Sequence, residues 1–263
     1  MPSLKRLLYM KAFKFSIILL FFLTFLSRTS FSQGKQFKAL LIAQTNGWRH
    51  ESVHAGVLAI QQLGTRNFFD VVYFENPNGF TDKYLEQFQV VIFLCTTGDI
   101  LDSAAQKVME RFIQSGKGYV GIHSASDTEY DWEWYNKLVG RMFYIHPAVQ
   151  TAKLKVLDNK FPGLQGFADG RLWTDEEYQF GPEKVADLNY ILAVDETTYN
   201  PKVDWGAKKS DGMGAFHPLA WYHNFDGGRS FYTALGHIPA NFSDPALLNH
   251  IYAGILWAAT GRK

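Results

Sequence analysis

From Phe37 onward, short uninterrupted apolar runs alternate with stretches whose apolar residues recur every three or four positions, the rhythm of strand-helix crossover units. The pattern predicts strands over Phe37 to Ala43, Phe69 to Phe74, Val90 to Leu94 and Tyr119 to Ile122. It predicts helices over Val53 to Leu63 and Ala104 to Ser115. Apolar strands between amphipathic helices imply a mostly parallel sheet covered on both faces, an α/β fold. From Trp132 to about Asn189 the rhythm loosens into a stretch rich in aromatics and turns, read as an insertion within one domain. A strand follows at Tyr190 to Val194. Phe216 to Tyr222 and Arg229 to Leu235 then flank Asp226-Gly227-Gly228, which predicts an antiparallel hairpin at a sheet edge. Ser243-Asp244-Pro245 supplies an N-cap and a proline at the first helical position, opening a closing helix to Ala259.

In a parallel sheet the loops after successive strands share one edge, where open α/β folds bind ligands. That edge collects Asn46, Trp48, Arg49 and His50 after the first strand, and Thr96-Thr97-Gly98-Asp99 after Leu94. It also collects His123 to Asp127, where Gly121-Ile122-His123-Ser124-Ala125 puts a histidine at the position that comparable α/β enzymes give to their nucleophile. Read alone, His123 fits either a buried, hydrogen-bonded core residue or an acid/base or metal-binding group. His50, His146, His217 and His237 stand beside Arg, Pro or Gly in turn-like contexts that suit a loop rim. His54 and His250 fall within helical patterns and read as surface or packing residues.

The first residues change the domain picture. Lys5, Arg6, Lys11 and Lys14 precede an apolar block from Phe15 to Leu26, and Ser30-Phe31-Ser32 offers small residues for cleavage before Gln33. The expectation is a signal peptide over 1–32, a mature domain over 33–263 and export to a periplasm or beyond, with a retained anchor as the alternative. The block is short for a membrane span of about 20 residues. Removal of 1–32 leaves 21 basic and 25 acidic residues, a net charge of −4 with no basic run, so nucleic acid is not an expected partner. Cys95 is the sole cysteine, which excludes an intrachain disulfide, and it reads as a buried structural thiol. No GxGxxG turn follows the first strand, which argues against NAD.

Asp175-Glu176-Glu177-Tyr178 brings carboxylates into the irregular stretch. Folded over the sheet edge, one of them beside His123 makes an acid/base pair. Histidines with a carboxylate also suit zinc or another divalent ion, although no HExxH or tight histidine spacing marks such a site.

Thr45-Asn46-Gly47-Trp48-Arg49-His50, Thr96-Thr97-Gly98-Asp99, Gly121-Ile122-His123-Ser124-Ala125, His146-Pro147, Asp175-Glu176-Glu177-Tyr178, and Phe216-His217-Pro218-Leu219-Ala220-Trp221 through Gly236-His237 occur in this order. Together they resemble the ThuA-like (trehalose utilisation) family. The resemblance implies a three-layer α/β/α sandwich, flavodoxin-like and similar to class I glutamine amidotransferases, and a role in carbohydrate metabolism on disaccharides or keto-sugar derivatives. Amidotransferases carry a cysteine nucleophile where this chain has His123, so glutamine hydrolysis loses its covalent intermediate.

The leading expectation is an exported lyase, isomerase or hydrolase acting on a small-molecule carbohydrate. His123 and Glu176 exchange protons, and His50 and His237 orient oxygens. Asn46, Trp48, Arg49, Asp99, His146, Tyr178, His217 and Trp221 bind substrate, the aromatics by stacking on sugar rings. Two alternatives stay open: a non-catalytic carbohydrate-binding accessory protein, and a divalent-metal hydrolase. The sequence also leaves homo-oligomerisation open.

Overall fold

A computed structural model of the chain describes residues 34–263. The expected signal peptide lies outside the described residues. Nine strands build the main sheet in the order β2-β1-β3-β4-β13-β12-β9-β6-β7. They are β1 (Lys38–Ile42), β2 (Asp70–Phe74), β3 (Val90–Leu94), β4 (Gly118–Ile122), β6 (Gln150–Val156), β7 (Leu172–Asp175), β9 (Asn189–Asp195), β12 (His217–Phe225) and β13 (Gly228–Thr233). Short pairs β5 (Phe143–Ile145) with β8 (Gln179–Phe180), and β10 (Val203–Asp204) with β11 (Lys209–Ser210), lie outside it. β2, β1, β3, β4 and β13 are mutually parallel, and β12, β9, β6 and β7 continue the sheet by antiparallel pairing.

The expected parallel strands form where the apolar runs are unbroken. All five residues of β3 and of β4 are buried, as befits central strands covered on both faces. One face packs against α1 (Ser52–Arg66) and α5 (Pro245–Thr260). The other carries α2 (Asp82–Leu85), α3 (Ser103–Gln114) and α4 (Glu133–Val139), with Tyr119, Phe93 and Tyr135 packed together beneath α4. This is a three-layer sandwich. α5 starts as the sequence requires: the Asp244 side chain accepts the Ala246 N–H at 2.8 Å and Pro245 occupies the first turn. Its buried Leu247 and Ile251 each contribute about 1.5–3 kcal/mol of burial. Close approach to the sheet needs Gly118, where a Cβ would lie 2.2 Å from the Ala258 carbonyl oxygen.

Two expectations about the second half are corrected. The β12–β13 hairpin forms as read, with Asp226 and Gly227 at φ +46° and +89° in a tight two-residue turn, but it lies inside the sheet. The loosely patterned stretch is not simply an insertion over the sheet, because it supplies β6 and β7, the last two strands. β6 alternates buried and exposed residues and β7 has only four, so neither reads as an apolar run. Among the described residues no helix is long and apolar enough to cross a membrane.

Candidate active site

Four loops, following β1, β4, β7 and β13, bring their side chains together at the carboxyl edge of the sheet. His123 follows β4 directly with φ +54° and opens a short 3-10 turn over His123–Asp127. The left-handed backbone costs a non-glycine residue roughly 1–2 kcal/mol, so it persists only where surroundings fix it. Here the Tyr232 hydroxyl donates to the His123 carbonyl at 2.7 Å, and the His123 Nδ1–H donates to the Ala234 carbonyl at 2.8 Å. The tautomer is thereby set, and Nε2 keeps its lone pair. That Nε2 lies 3.6 Å from Glu176 Oε2.

Glu176 enters from the end of β7, and its carboxylate is ringed by imidazoles. Oε2 is also 3.0 Å from His237 Nδ1, whereas Oε1 is 3.4 Å from His146 Nε2. His50, from the loop after β1, packs edge-on against His123 and His237 at centroid distances of 4.6 and 5.3 Å. Its Nδ1 sits 3.3 Å from Ser124 Oγ and its Nε2 3.4 Å from Tyr178 Oη. One donor atom from each of His50, His123, Glu176 and His237 falls within 4.8 Å of all the others. His123 Nε2, Glu176 Oε2 and His237 Nδ1 are buried and have no well-oriented hydrogen-bond partner among the described residues.

Burial keeps the inner rings neutral. It drives His123 well below the usual imidazole range, reinforced by neighbouring His50 and His237, and takes His50 down to about 4 despite Glu176. The 3.6 Å approach of His123 to Glu176 is therefore a lone pair facing a carboxylate rather than an ion pair. Burial is also the largest single influence on His237 and opposes its charge, but Glu176, Asp175 and Glu51 together outweigh it and raise this ring, the most accessible of the three. The Cys95 thiol, fully buried and beside Ser52, is pushed up to about 12 by burial, so it supplies no nucleophile.

Asp175 is the positioning residue that reasoning from the sequence missed. Fully buried, its carboxylate accepts the N–H groups of Gly236 and His237 at 2.9 Å each and that of Glu176 at 3.1 Å. Trp173 Nε1 and Asn241 Nδ2 add further donors at 3.1 Å. One side chain thus ties β7 to the loop after β13 and sets both Glu176 and His237. Its place next to Glu176 in the acidic run was the only signal. The third acid, Glu177, turns into the interior instead, where burial holds its carboxyl well above the usual range.

The other expected site residues divide. Trp48 is 73 % exposed and, with Val149, His237 and Pro239, lines a cleft of about 360 Å³ beside the cluster. His146, on the Oε1 side of Glu176, packs against Trp205 of the β10–β11 hairpin, centroids 4.9 Å apart, an aromatic the sequence reading did not single out. Asn46 Nδ2 donates to the Asp99 carbonyl and joins two rim loops. Asp99 itself is exposed. Arg49 turns away to Glu75 at 3.4 Å.

Three expected contacts with sugar are corrected. Trp221 is fully buried among Phe180, Tyr190 and Tyr232 with Nε1 donating to the Val139 carbonyl, because β12 is interior and its side chains fill the core. His217 is a buried strut between Glu196 Oε1 at 2.7 Å and the Tyr178 carbonyl at 2.8 Å. Tyr178 lies beneath the cluster, its ring 4.4 Å from that of His123 and 4.3 Å from that of Phe143.

Comparisons with known proteins agree on the family. The ThuA family, described as trehalose utilisation, matches residues 38–258. A crystal structure of a ThuA-like protein from Bacteroides uniformis superposes with a TM-score of 0.72 at 21 % identity, covering 90 % of this chain and 96 % of that one. A ThuA-like protein from Parabacteroides merdae gives a TM-score of 0.66 at 20 % identity, covering 87 % and 91 %. No curated protein matches the sequence. The chain belongs to the ThuA family, which is linked to trehalose utilisation.

Proposed function

We propose that this chain is an exported enzyme of carbohydrate metabolism that transfers protons on a disaccharide or a keto-sugar derivative. The observation that carries the reading is the Glu176 carboxylate, nearly buried at the strand ends, with Oε1 turned to His146 and Oε2 to His123 and His237. A carboxylate and imidazoles in mutual reach are the groups general acid/base catalysis needs. Relative to the sequence expectation, the roles shift. His123 is fully buried with Nδ1 committed to Ala234, so it orients the cluster, while Glu176 through Oε1 and the half-buried His146 beside it are left to meet a substrate.

In a 3-keto glycoside the carbonyl acidifies the neighbouring C–H. Glu176 takes that proton, the electron pair forms a double bond to the anomeric carbon, and the anomeric C–O bond breaks. The departing oxygen receives a proton from His146. Trp48, which lines the cleft, and Trp205, which packs against His146, are both exposed and suited to stack on sugar rings. The test offers purified protein a 3-keto disaccharide and the corresponding plain disaccharide and follows products by mass spectrometry. Consumption of the keto form is expected. Sugar binding without consumption of either would make the chain a carbohydrate-binding protein instead.

A further inference from the structure

We propose that His50, His123, His237 and Glu176 together bind one divalent first-row transition-metal ion. The inference rests on the sugar-enzyme reading only for what the ion would act upon, and otherwise stands on the geometry. Three imidazoles and one carboxylate on four separate loops bring one donor atom each within 4.8 Å of the rest. An ion with bonds of about 2.0–2.2 Å in a tetrahedral shell places its ligand atoms roughly 3.3–3.6 Å apart. The observed 3.6 Å from His123 Nε2 to Glu176 Oε2 falls within that range, and the 3.0 Å from His237 Nδ1 to the same oxygen needs to open by only a few tenths of an ångström to reach it.

The hydrogen-bond pattern points the same way. Because His123 Nδ1–H is given to Ala234, Nε2 is an acceptor, and the atom it faces, Glu176 Oε2, is an acceptor too. Two buried acceptors turned toward each other are unfavourable unless a positive centre lies between them. His123 Nε2, Glu176 Oε2 and His237 Nδ1 all lack well-oriented partners, and all three belong to this one cluster. Surrounding contacts hold the set as outer partners hold metal ligands. Asp175 fixes the backbone of Glu176 and His237, and Ser124 and Tyr178 flank the two nitrogens of His50 at 3.3 and 3.4 Å. The N/O donor set suits zinc, cobalt, iron or nickel rather than calcium or magnesium.

With four protein donors in place, a bound ion would polarise a substrate carbonyl or hydroxyl oxygen by expanding to five ligands. Glu176 Oε1, on the His146 side, remains free for proton transfer.

The experiment uses the full-length untagged chain, stripped with chelator and titrated with Co²⁺ and Zn²⁺ in the absence of substrate. Binding of one ion per chain is expected, with visible Co²⁺ absorption bands, and at least tenfold weaker binding in both Glu176→Gln and His237→Ala. His54→Ala, on the exposed face of α1, should bind as wild type does. Circular dichroism checks that each variant is folded, and the more accessible His237 keeps the test interpretable should Glu176→Gln unfold. Absence of binding in wild type, or unchanged binding in both ligand variants, overturns the proposal. Absence of binding together with turnover of a keto-disaccharide by the metal-free protein overturns it while leaving the sugar-enzyme reading intact. Ligand-dependent binding without any turnover supports the metal site and removes that reading.

Discussion

The buried carboxylate of Asp175 accepts the backbone N–H of His237 at 2.9 Å, so a residue ending one sheet-edge strand holds a candidate site residue on a loop from the sheet's centre. The same carboxylate receives four further N–H groups. Asp175→Asn replaces one acceptor oxygen with a donor that faces other donors. Each buried group left unpaired costs about 1–3 kcal/mol. A loss of about 2–4 kcal/mol is expected in urea unfolding, together with lowered activity at temperatures where the variant is still folded. Stability equal to wild type would show that the β7 tie is dispensable.

His250 is fully buried in α5 between Phe167 and Phe231, both ring nitrogens unpartnered among the described residues, and burial takes it down to about 3. Below about pH 6.5 the unfolded chain takes up a proton that the folded chain refuses, so stability falls with pH at about 1.4 kcal/mol per unit until about pH 3. His250→Leu removes that one-proton slope. Between pH 7 and pH 5, urea unfolding should show wild type losing about 2 kcal/mol more than the variant. Parallel losses in the two proteins would refute the placement of this ring.

Trp221 and Trp48 should separate stability from binding. Trp221→Ala opens the core and is expected to cost about 3–5 kcal/mol in chemical unfolding. Trp48→Ala removes an exposed ring, leaving stability within about 0.5 kcal/mol and raising KM for the sugar. The reverse assignment of the two effects would contradict the placement of Trp221 in the core and Trp48 at the surface.

Cys95 is expected to be inert toward a thiol reagent at pH 8 in the folded protein and to react fully in denaturant, since burial both raises its thiol to about 12 and shields it. Rapid labelling of the folded chain would reopen it as a nucleophile.

Much of the fold is legible in the sequence because β1, β3 and β4 are short, apolar and continuous, and because Asp244-Pro245 marks the start of α5 without ambiguity. β6 and β7 are illegible for a physical reason: one face of each meets solvent, and their pairing with β9 and with each other depends on residues far away in sequence. His50, His123 and Glu176 could be picked out as strand-end groups on a shared edge. His237 joins them in the sequence reading as well; what no spacing reveals is that one Glu176 oxygen lies between its ring and that of His123, because the four residues come from separate loops. Trp221 fails as a sugar contact for the same kind of reason: whether β12 is an edge or an interior strand is decided by β9, not by β12 itself.

The most direct test of the Glu176 site is the kcat of Glu176→Gln on a 3-keto disaccharide, measured beside wild type at a temperature where circular dichroism shows both folded. A positioned acid/base group contributes about 10²–10⁴-fold, so a fall of at least 100-fold is expected. A kcat indistinguishable from wild type would contradict it.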